Sequence, residues 1–128
     1  MPRHDFVDDR TIEDSSELWR RVHPEFLVRD DNGRIFPSSQ AFQNRSKDDP
    51  MSVGLADICP SPAEELKGYA DYGLASLSAG QVRRCQQVVC RAPLEATPWH
   101  AHVCGDKPRR IRKQLAKVAR WVVPPPVS

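Results

Sequence analysis

Between Trp99 and Gly105 the chain reads His100-Ala101-His102-Val103-Cys104, three chemically versatile side chains set two residues apart. On a β-strand such spacing puts all three on one face, with Trp99, Ala101 and Val103 on the other. Two histidines and a thiolate form a zinc-type donor set, but a rise of about 3.3 Å per residue puts the ends of this triplet about 13 Å apart. One ion with ligands at roughly 2.0–2.3 Å cannot reach both ends of a straight strand. Cys85 and Cys90 are spaced more widely than a zinc knuckle requires. The stretch therefore reads as a strand first, a one-histidine site at His100 second and a metal cluster third, and no metal or cofactor is expected.

A catalytic reading gathers Arg20 or Arg21, Ser38, Ser39 and His100. Arginine clamps phosphate by paired N–H donors, small hydroxyls add hydrogen bonds, and an imidazole transfers protons near neutral pH. The set expected for a small enzyme acting on a nucleotide or phosphate ester is His100 as acid/base, Arg21 as clamp and Ser39. The competing reading is surface arginine, turn serine and a hydrogen-bonded structural histidine. Ser76-Leu77-Ser78-Ala79-Gly80 lacks the first glycine of a nucleophile elbow, and Ser78 is better explained as a helix cap. Neither a Walker-type loop nor GxGxxG is present.

The strongest single feature is charge. Residues 1–50 hold eleven acids and eight bases, whereas residues 51–128 hold six acids and eleven bases, so the small overall excess of +2 hides a polarity along the chain. Lys107, Arg109, Arg110, Arg112, Lys113, Lys117 and Arg120 fall within fourteen residues that contain no acid. On a helix, Arg109, Arg110, Arg112, Lys113, Lys117 and Arg120 form a binding surface for RNA or DNA phosphates, where counterion release favours association. Alternatively the helix docks on an acidic protein, as in a regulatory or structural subunit, or is merely a solvated face. Only Trp121 supplies an aromatic ring near the run, so base stacking has little support there.

These groups must be positioned by the elements around them. LWRRV (18–22) fits a strand or a short helix. Phe26 to Arg29 and Arg34 to Phe36 flank Asp30-Asp31-Asn32-Gly33, a hairpin signature. Either Ser38 or Ser39 caps one helical turn through Phe42. Met51, Val53 and Leu55 alternate as in a half-buried strand. Ser61-Pro62 with Glu64, and Ser78 with Gln81, are helix starts of the capping-box kind. Residues 73–77 and 87–91 read as strands. Asp106 is expected to cap a helix over 107–120, whose Ile111, Leu115, Val118 and Val122 share one face, and WVV (121–123) as a final strand. Strands interspersed with three short helices, without regular β-α alternation, predict an α+β fold with a mainly antiparallel or mixed sheet. Residues 1–17 read as a polar, acid-rich arm, 18–123 as a single domain and 124–128 as a proline-rich tail.

The size suits one hydrophobic core. The longest apolar runs span only a few residues, far from the ~20 needed to cross a bilayer, so no membrane partner is expected. MPRHDFVDDR lacks the apolar segment of a secretory signal, and Cys59, Cys85, Cys90 and Cys104 are then expected to stay reduced in a cytoplasm. The motifs LWRRVHP (18–24), PSSQAF (37–42), PMSVGLAD (50–57), GLASLSAG (73–80) and PWHAHV (98–103), with the basic segment ending RWVVPPP, resemble a set of small bacterial proteins of unassigned activity. The resemblance spans most of residues 18–126 and implies a bacterial, intracellular setting. In that pattern the position of His100 is a histidine while those of His102 and Cys104 are commonly apolar, which favours His100 over a metal cluster.

Overall fold

The computed structural model describes residues 6–47 and 49–126. The first five residues of the expected arm and the last two of the expected tail lie outside them, as does Asp48. The elements follow in the order β1 (Glu17–Val22), β2 (Leu27–Arg29), β3 (Ile35–Pro37), β4 (Met51–Leu55), α1 (Pro62–Glu65), β5 (Gly73–Ser78), α2 (Ala79–Arg84), β6 (Val88–Arg91), β7 (His100–Cys104), α3 (Arg109–Val118) and β8 (Arg120–Val123). Six strands form one sheet in the order β6-β7-β4-β1-β5-β8, with every pairing antiparallel, and β2 with β3 forms a separate hairpin. The fold is α+β, as the interspersed pattern predicts.

The LWRRV segment resolves as the central strand. Its partners are β4 through Leu18↔Leu55 and β5 through Leu18↔Leu77 and Arg20↔Ala75. Directly opposed residues share a face, so Leu18, Leu55, Leu77 and Ala75 lie together, joined through β7 by Ala101 and Val103 opposite Val53 and Met51. All are buried, and with Val82 of α2 and Ile111 and Leu115 of α3 they form one hydrophobic cluster. The second face carries Trp19 opposite Gly54 and Ser76, and His100 and His102 opposite Gly54 and Ser52. His102 and Ser52 are half-buried, and this face is the one that polar chemistry can reach.

Local chemistry explains the boundaries. Gly33 takes φ +80 in the hairpin turn, a conformation open to glycine at little cost, while the Asp30 carboxylate accepts from the Asn32 and Arg34 amides. Ser38 caps the single 3-10 turn Ser39–Ala41 by accepting from the Gln40 amide. Ser61 accepts from Glu64 N at the start of α1, and Ser78 with Gln81 completes a reciprocal box at α2. The start of α3 differs from expectation. Pro108 occupies the N-cap position with no side-chain cap, because Lys107 turns inward and holds the preceding loop. The helix also stops at Val118, with Ala119 extended, so Val122 belongs to β8 and not to the helix face.

The acid-rich N-terminal segment packs against α2 and β6. Asp9 N donates to Val89 O at 2.7 Å and Val89 N to the Asp8 carboxylate at 2.8 Å, while Arg83 bridges Asp8 and Asp14. Ile12 inserts into the core at 2% exposure. Burial alone would raise the Asp8 carboxyl, but the Val89 amide and the Arg83 and Arg10 guanidiniums outweigh it and hold Asp8 below its ordinary value. Among the described residues, no helix is long and apolar enough to cross a membrane.

Candidate functional site

Two concave regions collect the cationic side chains, one on each side of the segment 37–42. The first is a groove of about 970 Å³ between the β2-β3 hairpin and α3. From α3 and the start of β8 come Lys113, Ala116, Lys117 and Arg120, spaced i, i+3, i+4 and i+7, so that one stripe of the helix and its exit faces the groove. From the hairpin come Val28, Arg34 and Phe36, and from its exit Ser38 and Ser39. Among the described residues no acid lines it. Phe36 and Val28 are 40% and 50% exposed, and the Arg34 guanidinium sits 5.4 Å from the Phe36 ring centroid. The hairpin is fixed in place by Trp121, whose indole N–H donates to Ile35 O at 2.9 Å. Arg120 donates to the carbonyls of Lys117, Val118 and Ala119 and closes the C-terminal end of the helix.

The fold sorts the basic run into three sets. Lys113, Lys117 and Arg120 line the groove. Arg109 and Arg110 are exposed at the start of α3 without lining it, and Arg112 is half-buried with its Nε donating to Lys107 O at 3.1 Å. Lys107 is structural: its ammonium meets Val103 O, Gly105 O and the Asn44 carboxamide oxygen. Burial pulls it down to about 8. A count along the chain therefore misjudges the groove twice, since Lys107 in the run is turned inward and Arg34 comes from 79 residues before Lys113.

The second region consists of two adjoining hollows beside β1 and β4 that open on the polar face and reach the core-side residues Arg20 and Met51. One, about 410 Å³, is lined by Arg20, Arg21, His23, Arg45, Gln40, Gln43, Asn44, Tyr69 and Tyr72 among others, again without an acid among the described residues. The other, about 600 Å³, runs over Trp19 and Trp99 to His100, with Leu94 and Thr97 on its rim. Arg21, Arg45, Ser52 and Tyr69 border both. The Arg21 guanidinium stacks 4.1 Å from the Tyr69 ring centroid and donates to Glu65 O at 3.1 Å. The Glu65 carboxylate, buried, accepts from the Trp99 indole at 2.9 Å. Gly54 is required beneath it, since a Cβ there would run into that carboxylate. Arg20 is drawn to the core side and donates to Ala41 O and Ser52 O, each at 2.9 Å. Burial, with Arg21 adding repulsion, lowers it to about 10, which leaves it charged at neutral pH.

Of the expected catalytic set, Arg21 and His100 border the same hollow, whereas Ser39 faces the groove beside α3. The reason is the turn after β3, which directs Ser38 and Ser39 one way and Gln40 and Ala41 the other. His100 Nδ1 lies 2.9 Å from Ala92 O, so this nitrogen carries the proton and Nε2 is the acceptor in the neutral ring. The His100 and His102 rings meet edge to face with centroids 5.0 Å apart. Burial, and then the charge of His100, lower His102 below the ordinary histidine value. Cys104 Sγ approaches Cys90 Sγ at 4.0 Å, and burial with that neighbour pushes Cys104 up to about 12, so it is a neutral thiol. Among the described residues no three His, Cys, Asp or Glu side chains are grouped to hold one metal ion.

Comparison of the chain with protein-family models, with curated proteins and with solved structures gives no match.

Proposed function

We propose that the protein binds single-stranded RNA or DNA in the groove between the β2-β3 hairpin and α3. The observation that carries this reading is the convergence of Arg34, Lys113, Lys117 and Arg120 on a groove with no acid among the described residues of its lining and an exposed Phe36 at its wall. Cations tracking a phosphate backbone supply affinity, and an aromatic face accepts a base of any sequence. The groove is bounded by a short hairpin, which suits one strand better than a duplex. The proposal includes a reducing compartment such as the cytoplasm, in which the four cysteines would stay thiols.

The test is reversal of Arg34, Lys113 and Lys117 to glutamate, read by fluorescence anisotropy with a labelled single-stranded oligonucleotide. We expect binding to disappear while the far-ultraviolet circular dichroism stays as in the parent. The same reversal at Arg109 and Arg110, outside the groove, should weaken binding only modestly. Polyglutamate that displaces the oligonucleotide at equal charge concentration would favour an acidic protein partner and refute the nucleic-acid reading.

A further inference from the structure

We infer that the paired hollows on the polar sheet face form a separate site for a small phosphomonoester with a planar body, of the nucleoside monophosphate class. The phosphate end is the smaller hollow. Arg20, Arg21 and Arg45 converge there with His23, the amides of Gln40, Gln43 and Asn44, and the phenols of Tyr69 and Tyr72, and among the described residues no carboxylate lines it. Arg21 has the Glu65 carboxylate at 3.8 Å and Arg45 the Asp49 carboxylate at 3.6 Å, whereas Arg20, lowered first by burial and then by the repulsion of Arg21, meets only backbone carbonyls among the described residues. A dianion relieves that repulsion and supplies acceptors in the geometry that guanidinium forks match.

Donors remain for such a ligand. Arg20 uses Nε and Nη1 on the Ala41 and Ser52 carbonyls, and among the described residues no acceptor meets its Nη2. Arg21 uses Nη1 on Glu65. His23 accepts the Glu25 amide at Nδ1, 2.9 Å away, which leaves its proton on Nε2 as a donor. Arg45 is exposed and only loosely paired, its Nε 3.6 Å from the Asp49 carboxylate, so it is free to swing over a bound phosphate.

The planar end is the larger hollow. Trp19 and Trp99 form its floor, Leu94 stands 55% exposed on its rim, and His100 presents a ring whose Nδ1 is already engaged with Ala92 O. Glu64 and Glu65 also line this end, so the phosphate belongs in the smaller hollow, and an apolar floor with a few fixed polar groups suits a heteroaromatic body here. The Arg21-Tyr69 stack stands between the two hollows, so a ligand with its phosphate on Arg21 would have its ring within reach of the tryptophans.

Isothermal titration calorimetry with adenosine 5′-monophosphate, adenosine and inorganic phosphate tests this. We expect the monophosphate to bind more tightly than either fragment. Arg21→Gln and Arg45→Gln should each weaken it about ten- to a hundredfold, the usual effect of losing one charged hydrogen-bond partner. Lys113→Gln, in the groove beside α3, should leave it unchanged. Arg45 is exposed and makes no core contact, so its variant keeps the test valid if Arg21→Gln does not fold. The proposal fails if millimolar monophosphate does not bind, if adenosine or phosphate binds as tightly, or if Lys113→Gln weakens the interaction while Arg45→Gln does not. Oligonucleotide binding that is absent from the parent or survives the groove reversal, with monophosphate binding intact, would refute the nucleic-acid reading and leave this site standing.

Discussion

Truncating Lys113 and Lys117 to alanine removes half of the four cations that line the groove and leaves Phe36 in place. Each phosphate neutralised on a single strand contributes about 0.7 to the slope of log affinity against log salt, so four contacts give a slope of about −2.8. Between 50 and 200 mM salt the parent should lose about fiftyfold in affinity, and the double variant, with a slope of about −1.4, about sevenfold. Phe36→Ala should behave oppositely. Losing one stacked base costs about 1–3 kcal/mol, which lowers affinity at every salt concentration and leaves the slope as it was. Anisotropy titrations of a labelled pyrimidine oligonucleotide at four salt concentrations separate the two effects. A double variant with the parent's slope would refute the reasoning, because the lysines would then not be contacting phosphate. A change of slope on removing Phe36 would mean that the stacking face and the cations do not act independently.

Two further predictions concern the polar face of the sheet. His102 has its folded pKa held below the ordinary 6.5, so between these two values the unfolded chain binds the extra proton and stability rises with pH, reaching its plateau above about 7. Urea midpoints compared at pH 5.5 and 7.5 should therefore differ more in the parent than in His102→Gln, and equal differences would show that His102 is not the group responsible. Gly54→Ala should push the Glu65 carboxylate off the Trp99 indole, at about 1–3 kcal/mol, the ordinary range for overpacking a filled site. A lowered urea midpoint with altered tryptophan fluorescence is expected, and a parent-like midpoint would show that the carboxylate moves freely.

Features encoded over a few neighbouring residues were legible. The reciprocal Ser78-Gln81 box, the Asn32-Gly33 turn and the alternation of Met51, Val53 and Leu55 each satisfy their own hydrogen bonds or burial locally, so pattern and structure coincide. LWRRV reads ambiguously because a central strand is buried on both faces and loses its alternation: Trp19, opposite Gly54, is buried like its neighbour Leu18. The start of α3 was misplaced for a different reason. Asp106 is a good cap by type, but Lys107 satisfies three acceptors in the loop before it, and the chain turns into the helix only after Pro108. The sites were least legible. Arg45 and Tyr69 sit in irregular segments with no period to mark them, and Arg34 reaches α3 only because Trp121 ties the hairpin there.

The basic run shows what a linear reading cannot weigh. Taken as a solvated ribbon of six contacting cations, Arg109 to Arg120 would give a salt slope of about −4 on a single strand. Folding spends Arg112 on a carbonyl, leaves Arg109 and Arg110 outside the groove and adds Arg34 from the hairpin, so the same charges predict a slope of about −2.8. The difference of more than one unit is larger than the change expected from deleting any single cation. A measured slope near −4 would mean that the strand follows the outer surface of α3, and that the groove with its exposed Phe36 is not the path.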